Sequence, residues 1–138
     1  MNYELLFLYL NMKDSIIKDK SFDFAVRIIN LSKYLKNKKE FVLSKQILRS
    51  GTSIGANVRE AINAESKPDF IHKLSIAQKE CDETLYWLEL LFKSEILSKI
   101  EFDSISNKCI ELLKIIKSII LTSKENNKNN ASPFSTHN

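Results

Sequence analysis

Apolar residues recur every three or four positions along most of the chain, and this spacing places side chains on one face of an α-helix. Four segments have the pattern: one from about Asp19 to Tyr34 or Leu35, one from near Glu40, one from Ser66 and one from Ser98. The first segment carries two neighbouring apolar rows, which are Phe22, Ala25, Val26, Ile29 with Ser32, and Phe24, Ile28, Leu31, Leu35. The pattern predicts four helices.

Two glycines interrupt the second of these segments. Gly51 and Gly55 lie four residues apart, and a glycine inside a helix costs about 1 kcal/mol relative to alanine. The apolar spacing continues from Ile47 to Ile54 across both positions, which favours one continuous helix in which the backbone closely approaches a neighbour. A turn at residues 49–52 between two short helices is the alternative.

Capping residues mark where the last two helices begin. Ser66 lies three residues before Asp69 and Ser98 three residues before Glu101, the spacing of a capping box. Pro68 is compatible with a first helical turn. The fourth helix is apolar over more of its circumference than one seam requires, at Ile110, Leu113, Ile115 and Ile120. We therefore expect it to bury a second face against another subunit.

The composition supports an all-α fold. Only two glycines and two prolines occur in 138 residues, whereas a sheet protein needs many tight turns. We predict a four-helix bundle followed by a disordered polar tail (124–138). The apolar run from Leu5 to Leu10 is too short to cross a bilayer and lacks a basic leader. We expect a cytoplasmic protein without a membrane partner.

Few residues suggest catalysis or metal binding. Cys81 and Cys109 fall at apolar helix positions and are interpreted as core residues, although a disulfide between them is an alternative. The spacing of the two cysteines from His72 and His137 does not fit a zinc site. Asp69-x-x-His72 is the one pair that resembles a di-iron ligand motif. We expect no metal, no cofactor and no enzymatic activity. Glu80 and Glu83 are instead expected to form interhelical pairs or to contact solvent.

Positive charge is concentrated in the first half of the chain. Residues 13–59 contain eleven Lys and Arg against four Asp and Glu, whereas residues 60–138 contain ten against twelve. This asymmetry favours an anionic partner, or else attraction between the two halves of the protein. The candidate nucleic-acid contacts on the first two helices are Arg27, Lys33, Lys36, Lys38, Lys39, Lys45, Arg49 and Arg59. The alternative is that these charges solvate an ordinary helical face, and no interleaved aromatic platform for single-stranded bases is predicted.

Several polar and aromatic residues lie beside the apolar face of the middle helices. Ser53 and Asn57 are predicted to fix helix register by hydrogen bonding to Gln46, Glu60 or another subunit. Tyr86 and Trp87 are expected at a subunit boundary, where large amphipathic side chains are common.

A run of residues carries a family resemblance. The sequence Gln-Ile-Leu-Arg-Ser-Gly-Thr-Ser-Ile-Gly-Ala-Asn-Val-Arg-Glu-Ala at 46–61 resembles the signature of the bacterial 23S rRNA intervening-sequence proteins. The likeness continues through Ser66-Lys-Pro-Asp-Phe-Ile and Tyr86-Trp-Leu and covers about residues 16–123. This chain has Arg59 where other members often carry a neutral or acidic residue, and Ala61 where many have glycine.

The resemblance implies an antiparallel up-and-down four-helix bundle over residues 16–123, preceded by an extension (1–15). It also implies that the bundle assembles as a ring, typically a pentamer. A related group comprises the accessory proteins of diversity-generating retroelements, which bind reverse transcriptase and RNA. The implied partners are therefore further copies of the chain, RNA or DNA, and a nucleic-acid-processing protein such as a reverse transcriptase. We expect a non-enzymatic homo-oligomer that binds nucleic acid or a nucleoprotein through the basic surface of helices one and two. RNA is the favoured nucleic acid. A protein–protein adaptor is the alternative.

Overall fold

The computed structural model describes residues 3–131, with side chains at 4–5 and 8–125, and this part of the chain consists of α-helices without strands. There are four helices in it: α1 (Tyr3–Asn37), α2 (Phe41–Ile62), α3 (Lys67–Lys93) and α4 (Lys99–Ala131). The prediction of an all-α fold with four helices is confirmed. None of the helices in the described range is long and apolar enough to cross a membrane.

The outer helices are longer than the sequence pattern indicated. α1 begins at Tyr3, not near Asp19, and Ile17 in the added part is only 1% exposed. α4 continues to Ala131 and so includes the first part of the segment predicted to be a polar tail, while residues 132–138 lie outside the described range. No proline or glycine interrupts either stretch, so the polar composition alone did not end the helices. The predicted boundaries at 16 and 123 are not helix ends.

All four helices contribute to one hydrophobic core. In α1 the second apolar row is the buried one: Ile28 and Leu35 are fully buried, whereas Phe22 and Val26 of the first row are 54% and 45% exposed. α4 also buries residues outside its predicted apolar seam, since Ile120 is only 8% exposed. Leu113 and Ile115 pack partly against the core, so much of the apolar surface assigned to a second subunit is covered within the chain.

Each helix packs against its neighbours in sequence, and α1 also contacts α4. Buried hydroxyls connect the helices: Ser32 and Ser44 have their Oγ atoms 2.7 Å apart between α1 and α2. Between α2 and α3, the Thr84 hydroxyl donates to Ser50 Oγ at 3.0 Å. Because both partners of each bond are buried, these contacts satisfy polar groups that would otherwise be costly to remove from water.

The two cysteines are core residues, as predicted, and both are free thiols. Cys109 Sγ donates to the carbonyl oxygen of Cys81 at 3.5 Å, which connects α4 to α3. Hydrogen bonding to the Cys109 thiol and burial raise the pKa of Cys81 far above its ordinary value. The Cys81 thiol therefore stays protonated, and both cysteines pack as small apolar side chains in the core.

The helix starts have the predicted caps. Ser66 Oγ accepts a hydrogen bond from the Asp69 backbone N–H at 3.2 Å, and Pro68 lies in the first turn of α3. Ser98 Oγ accepts from the Glu101 N–H at 3.2 Å at the start of α4. Each cap satisfies a backbone donor that has no partner inside its helix.

α1 and α3 end in the same C-terminal motif. After α1, the Glu40 N–H donates to the Leu35 carbonyl oxygen at 2.9 Å. The Lys39 N–H donates to the Lys36 carbonyl oxygen, also at 2.9 Å. These two backbone hydrogen bonds form a Schellman motif. The motif requires one residue in the left-handed conformation, here Lys39 with φ 63°. Glu95, with φ 64°, has the same place after α3. Glycine is usual at this position, because any other residue pays a steric cost of about 1 kcal/mol.

The two glycines lie inside a continuous α2, as the sequence favoured. A Cβ atom at position 51 would come within 2.7 Å of Cγ1 and Cγ2 of Ile28 on α1. At position 55 the added atom would lie 3.3 Å from the carbonyl oxygen of Ser21. The absent side chains therefore allow α2 to approach α1 closely.

We predict that Gly51→Ala lowers the free energy of unfolding by about 1–2 kcal/mol, because overpacking against the buried Ile28 outweighs the helix-favouring effect of alanine. The matched variant Gly55→Ala should change it by less than about 1 kcal/mol, because its nearest contact needs only a small shift. Urea unfolding at one fixed protein concentration measures both. Equal effects of the two substitutions would contradict the close approach at Gly51.

Candidate nucleic-acid interface

The eight cationic residues singled out from the sequence fall into two groups. Arg27, Arg49 and Arg59 lie along the helices, where each contacts a side chain or backbone atom of another helix. The lysines surround the connection between α1 and α2, a segment of residues 33–45 that we term the basic tip. The basic tip contains Lys33, Lys36, Lys38, Lys39 and Lys45.

Arg49 forms a bridge from α2 to α3. Its Nη1 atom lies 3.3 Å from both carboxylate oxygens of Glu80, and its Nη2 atom pairs with Glu83. Burial raises the pKa of Glu80, and the Arg49 charge opposes that effect. Hydrogen bonding to Glu83 raises the pKa of Arg49 itself. The interhelical pairing predicted for Glu80 and Glu83 is therefore present, and the charge of Arg49 is neutralised within the chain.

The other two arginines also make contacts between helices. Arg27 on α1 donates from Nη1 to the Ser104 carbonyl oxygen at 3.3 Å and from Nη2 to Ser104 Oγ at 2.5 Å, which connects α1 to α4. The Arg59 guanidinium carbon lies 5.6 Å from the centroid of the Phe22 ring, a cation–π distance. These contacts do not remove the charges, but they give both side chains a structural role.

The basic tip differs because its cations are free of carboxylates. All five lysines are exposed, and none takes part in an ion pair with another described residue. Glu40 is the one acidic residue in this segment. Lys38 Nζ lies 5.5 Å from the centroid of the Tyr34 ring. The segment thus presents a concentrated positive field to solvent.

Exposed apolar side chains lie among these lysines. Tyr34 is 39% exposed, Phe41 62% and Val42 74%. No aromatic surface of this kind was predicted from the sequence, because Tyr34 was named only as a possible end of the first helix and Phe41 was not considered. The available signal was the alternation of lysine with aromatic residues over 33–41.

The polar residues of α2 make other bonds than those predicted. Ser53 Oγ donates to the Arg49 carbonyl oxygen at 2.5 Å and Asn57 Nδ2 to the Ser53 carbonyl oxygen at 2.8 Å, both one turn earlier in the same helix. Glu60 pairs with Lys73 on α3 at 3.0 Å. A short polar side chain reaches its own preceding turn more readily than a neighbouring helix. Gln46, the fourth predicted residue, is half-buried on α2.

A stripe of exposed apolar residues runs along α1 on the side opposite the core. Phe22, Val26 and Ile29 are 54%, 45% and 39% exposed, and at 100° per residue they face away from the buried row. We term these three residues the outer stripe.

Two neighbouring aromatic residues of α3 differ in their surroundings. Tyr86 is 53% exposed, whereas the Trp87 Nε1 atom is buried and has no hydrogen-bond acceptor among the described residues.

No group of three or more His, Cys, Asp or Glu side chains within the described residues is arranged to hold a metal ion. Glu80 and Glu83 are occupied by Arg49.

The fold and its surfaces define an all-α protein with four helices and a cationic connection between the first two. The chain belongs to the 23S rRNA-intervening sequence protein family, whose model matches residues 13–118. This confirms the resemblance carried by the run at 46–61. No curated protein matches the chain.

A solved structure supports the same assignment. The chain is 57% identical to a protein of unknown function from the S23 ribosomal protein family of Bacteroides thetaiotaomicron VPI-5482. The match covers 79% of this chain and 98% of that one, with a TM-score of 0.77.

We predict that Arg49→Met lowers the free energy of unfolding at pH 7 by about 0.5–1 kcal/mol, because Glu80 and Glu83 lose their shared cation. The pKa of Glu80 already lies above its ordinary 4.5 through burial and should rise further in the variant. A raised carboxyl pKa means that the folded state binds protons more readily than the unfolded state. The deficit should therefore be largest at neutral pH and shrink as the pH falls towards that pKa. Urea unfolding of wild type and variant at pH 7 and pH 5 measures it.

Lys45→Met is the matched control, since Lys45 lies one turn earlier on α2, is exposed, and forms no ion pair with a described residue. It should leave stability nearly unchanged at both pH values. A deficit for Arg49→Met that is independent of pH would show that packing, and not the ionic contact, is responsible.

Proposed function

We propose that this protein is a non-enzymatic homo-oligomer that binds RNA through the basic tip. The observation that carries the proposal is the set of five exposed lysines around one helix connection, none of them paired with a carboxylate of the described chain. The family description, which refers to 23S rRNA, supports RNA as the anionic partner. Such a role belongs in the cytoplasm.

Free lysines are suited to phosphate contacts. A lysine that contacts a phosphate displaces a condensed counterion, which supplies affinity without reading sequence. A lysine already paired with a carboxylate would first have to break that pair. For this reason the proposed site is centred on the basic tip, and Arg27, Arg49 and Arg59, which contact other helices, are secondary candidates.

The proposed assembly is an antiparallel up-and-down bundle that associates into a ring, with five subunits as the family resemblance implies. Contacts between α1 and α2 support the antiparallel arrangement: Ser32 meets Ser44 near the connection, and Ser21 meets Gly55 further from it. A second copy covering the outer stripe would remove three large apolar side chains from water.

A protein–protein adaptor is the second candidate function. The outer stripe favours it, because exposed apolar residues in a row mark interaction surfaces. Under this alternative the charge of the basic tip is incidental. A nucleic-acid-processing protein such as a reverse transcriptase would combine both kinds of contact.

We expect replacement of Lys36, Lys38 and Lys39 by Gln to weaken RNA binding and to lower the slope of log K against log salt by about 2, because three phosphate contacts are lost. The measurement is fluorescence anisotropy of a labelled RNA across a salt series, with the oligomer mass recorded on the same samples. DNA of the same sequence shows whether the binding distinguishes the two polymers.

The control carries Gln at Lys114, Lys117 and Lys124, three exposed lysines of α4 that form no ion pair with described residues. It loses the same net charge and should keep most of the affinity and the slope. Equal losses in the two triple variants would reduce the effect to net charge. An intact oligomer that ignores RNA at low salt would rule out the proposal and favour the adaptor.

We predict that Val26→Glu combined with Ile29→Glu lowers the oligomer mass, because two buried charges would be placed at a contact between copies. Helical content should persist, since both side chains are exposed within the subunit. Light scattering after gel filtration measures the mass and circular dichroism the helicity.

Ile100→Glu serves as the control for this pair, because Ile100 on α4 is 83% exposed and lies outside the outer stripe. Its mass should equal that of the wild type. An unchanged mass for the double variant would show that the outer stripe is not the contact between subunits.

A further inference from the structure

The basic tip exposes two aromatic rings that are not part of the hydrophobic core. Phe41 is 62% exposed and does not belong to the hydrophobic core or its partly buried shell. Tyr34, 39% exposed, lies on the last turns of α1 across the connection. An exposed phenylalanine at the first position of a helix contributes little to stability, so its ring is available to a ligand.

The lysines determine which ligand such rings would meet. Lys33, Lys36, Lys38 and Lys39 occur within seven residues that also contain Tyr34, and Lys45 follows Phe41 by one helical turn. With Glu40 as the one carboxylate of this segment, the surroundings of both rings are strongly cationic. A partner protein surface with few acidic residues would not be attracted by these charges. A polyanion with flat apolar faces matches both the positive charge and the exposed rings.

Lys39, which lies between Tyr34 and Phe41 in the sequence, occupies the left-handed position after α1 at a steric cost. Lys39 has φ 63° at the left-handed position of the Schellman motif, where glycine would be favoured. Glu95 adopts the same conformation in the motif after α3, so the motif accounts for the backbone, and the lysine at position 39 adds one more exposed charge to the basic tip.

We propose that the basic tip binds single-stranded RNA, with nucleobases stacked on Phe41 and Tyr34 and the surrounding lysines on the phosphates. This inference rests on the proposed function, RNA binding at the basic tip, and specifies the state of the RNA. In duplex RNA the base faces are stacked on one another and the deep major groove excludes side chains, so exposed rings have nothing to stack on. Unpaired bases offer a free face whatever their sequence.

The test compares wild type with Phe41→Leu, which keeps an apolar side chain but removes the ring. The probes are a labelled uridine oligonucleotide and an abasic oligonucleotide with the same number of phosphates, both at one salt concentration. Loss of a base–aromatic stack should weaken binding of the uridine probe about tenfold. Binding of the abasic probe and the salt slope should stay as in the wild type, because the phosphate contacts are retained.

Two further variants guard against a folding effect. Phe41→Tyr retains a ring and should bind the uridine probe like the wild type. Tyr34→Leu removes the other ring and should weaken the same probe without affecting the abasic one. Circular dichroism and oligomer mass of all variants should match the wild type.

Three results would overturn the inference, and they are distinguishable from failure of the proposed function. If Phe41→Leu binds the uridine probe like the wild type while the tip lysine variant is weakened, RNA binding stands and stacking fails. If Phe41→Leu loses affinity equally for both probes, the ring acts on the fold or on the phosphates. If Phe41→Leu lowers the oligomer mass without RNA, the tip is a contact between copies. A wild type that binds neither probe at low salt overturns the proposed function itself.

Discussion

The close approach of α1 and α2 is the constraint on which the rest of the structure depends. Where Gly51 lies, the Cγ1 and Cγ2 atoms of Ile28 occupy the space that a side chain would take. The same contact aligns Ser32 with Ser44 and closes the connection between the two helices over a few residues. Because the interior of a protein is close-packed, this alignment fixes which residues of α1 and α2 face the core and which surround their connection.

That alignment separates the positive charges into two kinds. Arginines along the helices reach neighbouring helices: Arg49 is neutralised by Glu80 and Glu83, and Arg27 bonds to Ser104. Lysines at the connection form no ion pair with a described carboxylate, whereas Glu80 and Glu83 of α3 pair with Arg49. A net charge of +4 therefore understates the field at one end of α1. Location relative to carboxylates, more than the number of cations, identifies the candidate site.

The basic tip and the outer stripe are separate surfaces with separate chemistry. The first is cationic with two exposed rings, and the second is a row of aliphatic and aromatic side chains opposite the core. Because the two surfaces share α1 but use different residues, substitutions can alter one surface without the other. A ring of copies joined through the outer stripe would repeat the basic tip in each subunit, and several weak contacts to one RNA would then act together.

The sequence by itself determined the helical class, the continuity of α2 through its glycines, the caps at Ser66 and Ser98 and the burial of both cysteines. These features are set by spacing and by side chains that act on their own turn, so local reasoning suffices. It also identified the family through the run at 46–61.

Tertiary structure decided which of the two apolar rows of α1 is buried, where α1 begins and α4 ends, and which cations are free. Phe22 and Phe24 have equivalent spacing patterns, and only the position of α2 and α4 makes one exposed and the other part of the core. Arg49 and Lys45 look alike in sequence, yet Glu80 and Glu83 of α3 reach Arg49 alone. The physical reason is that burial and charge pairing are properties of neighbours distant in sequence, which no local pattern records.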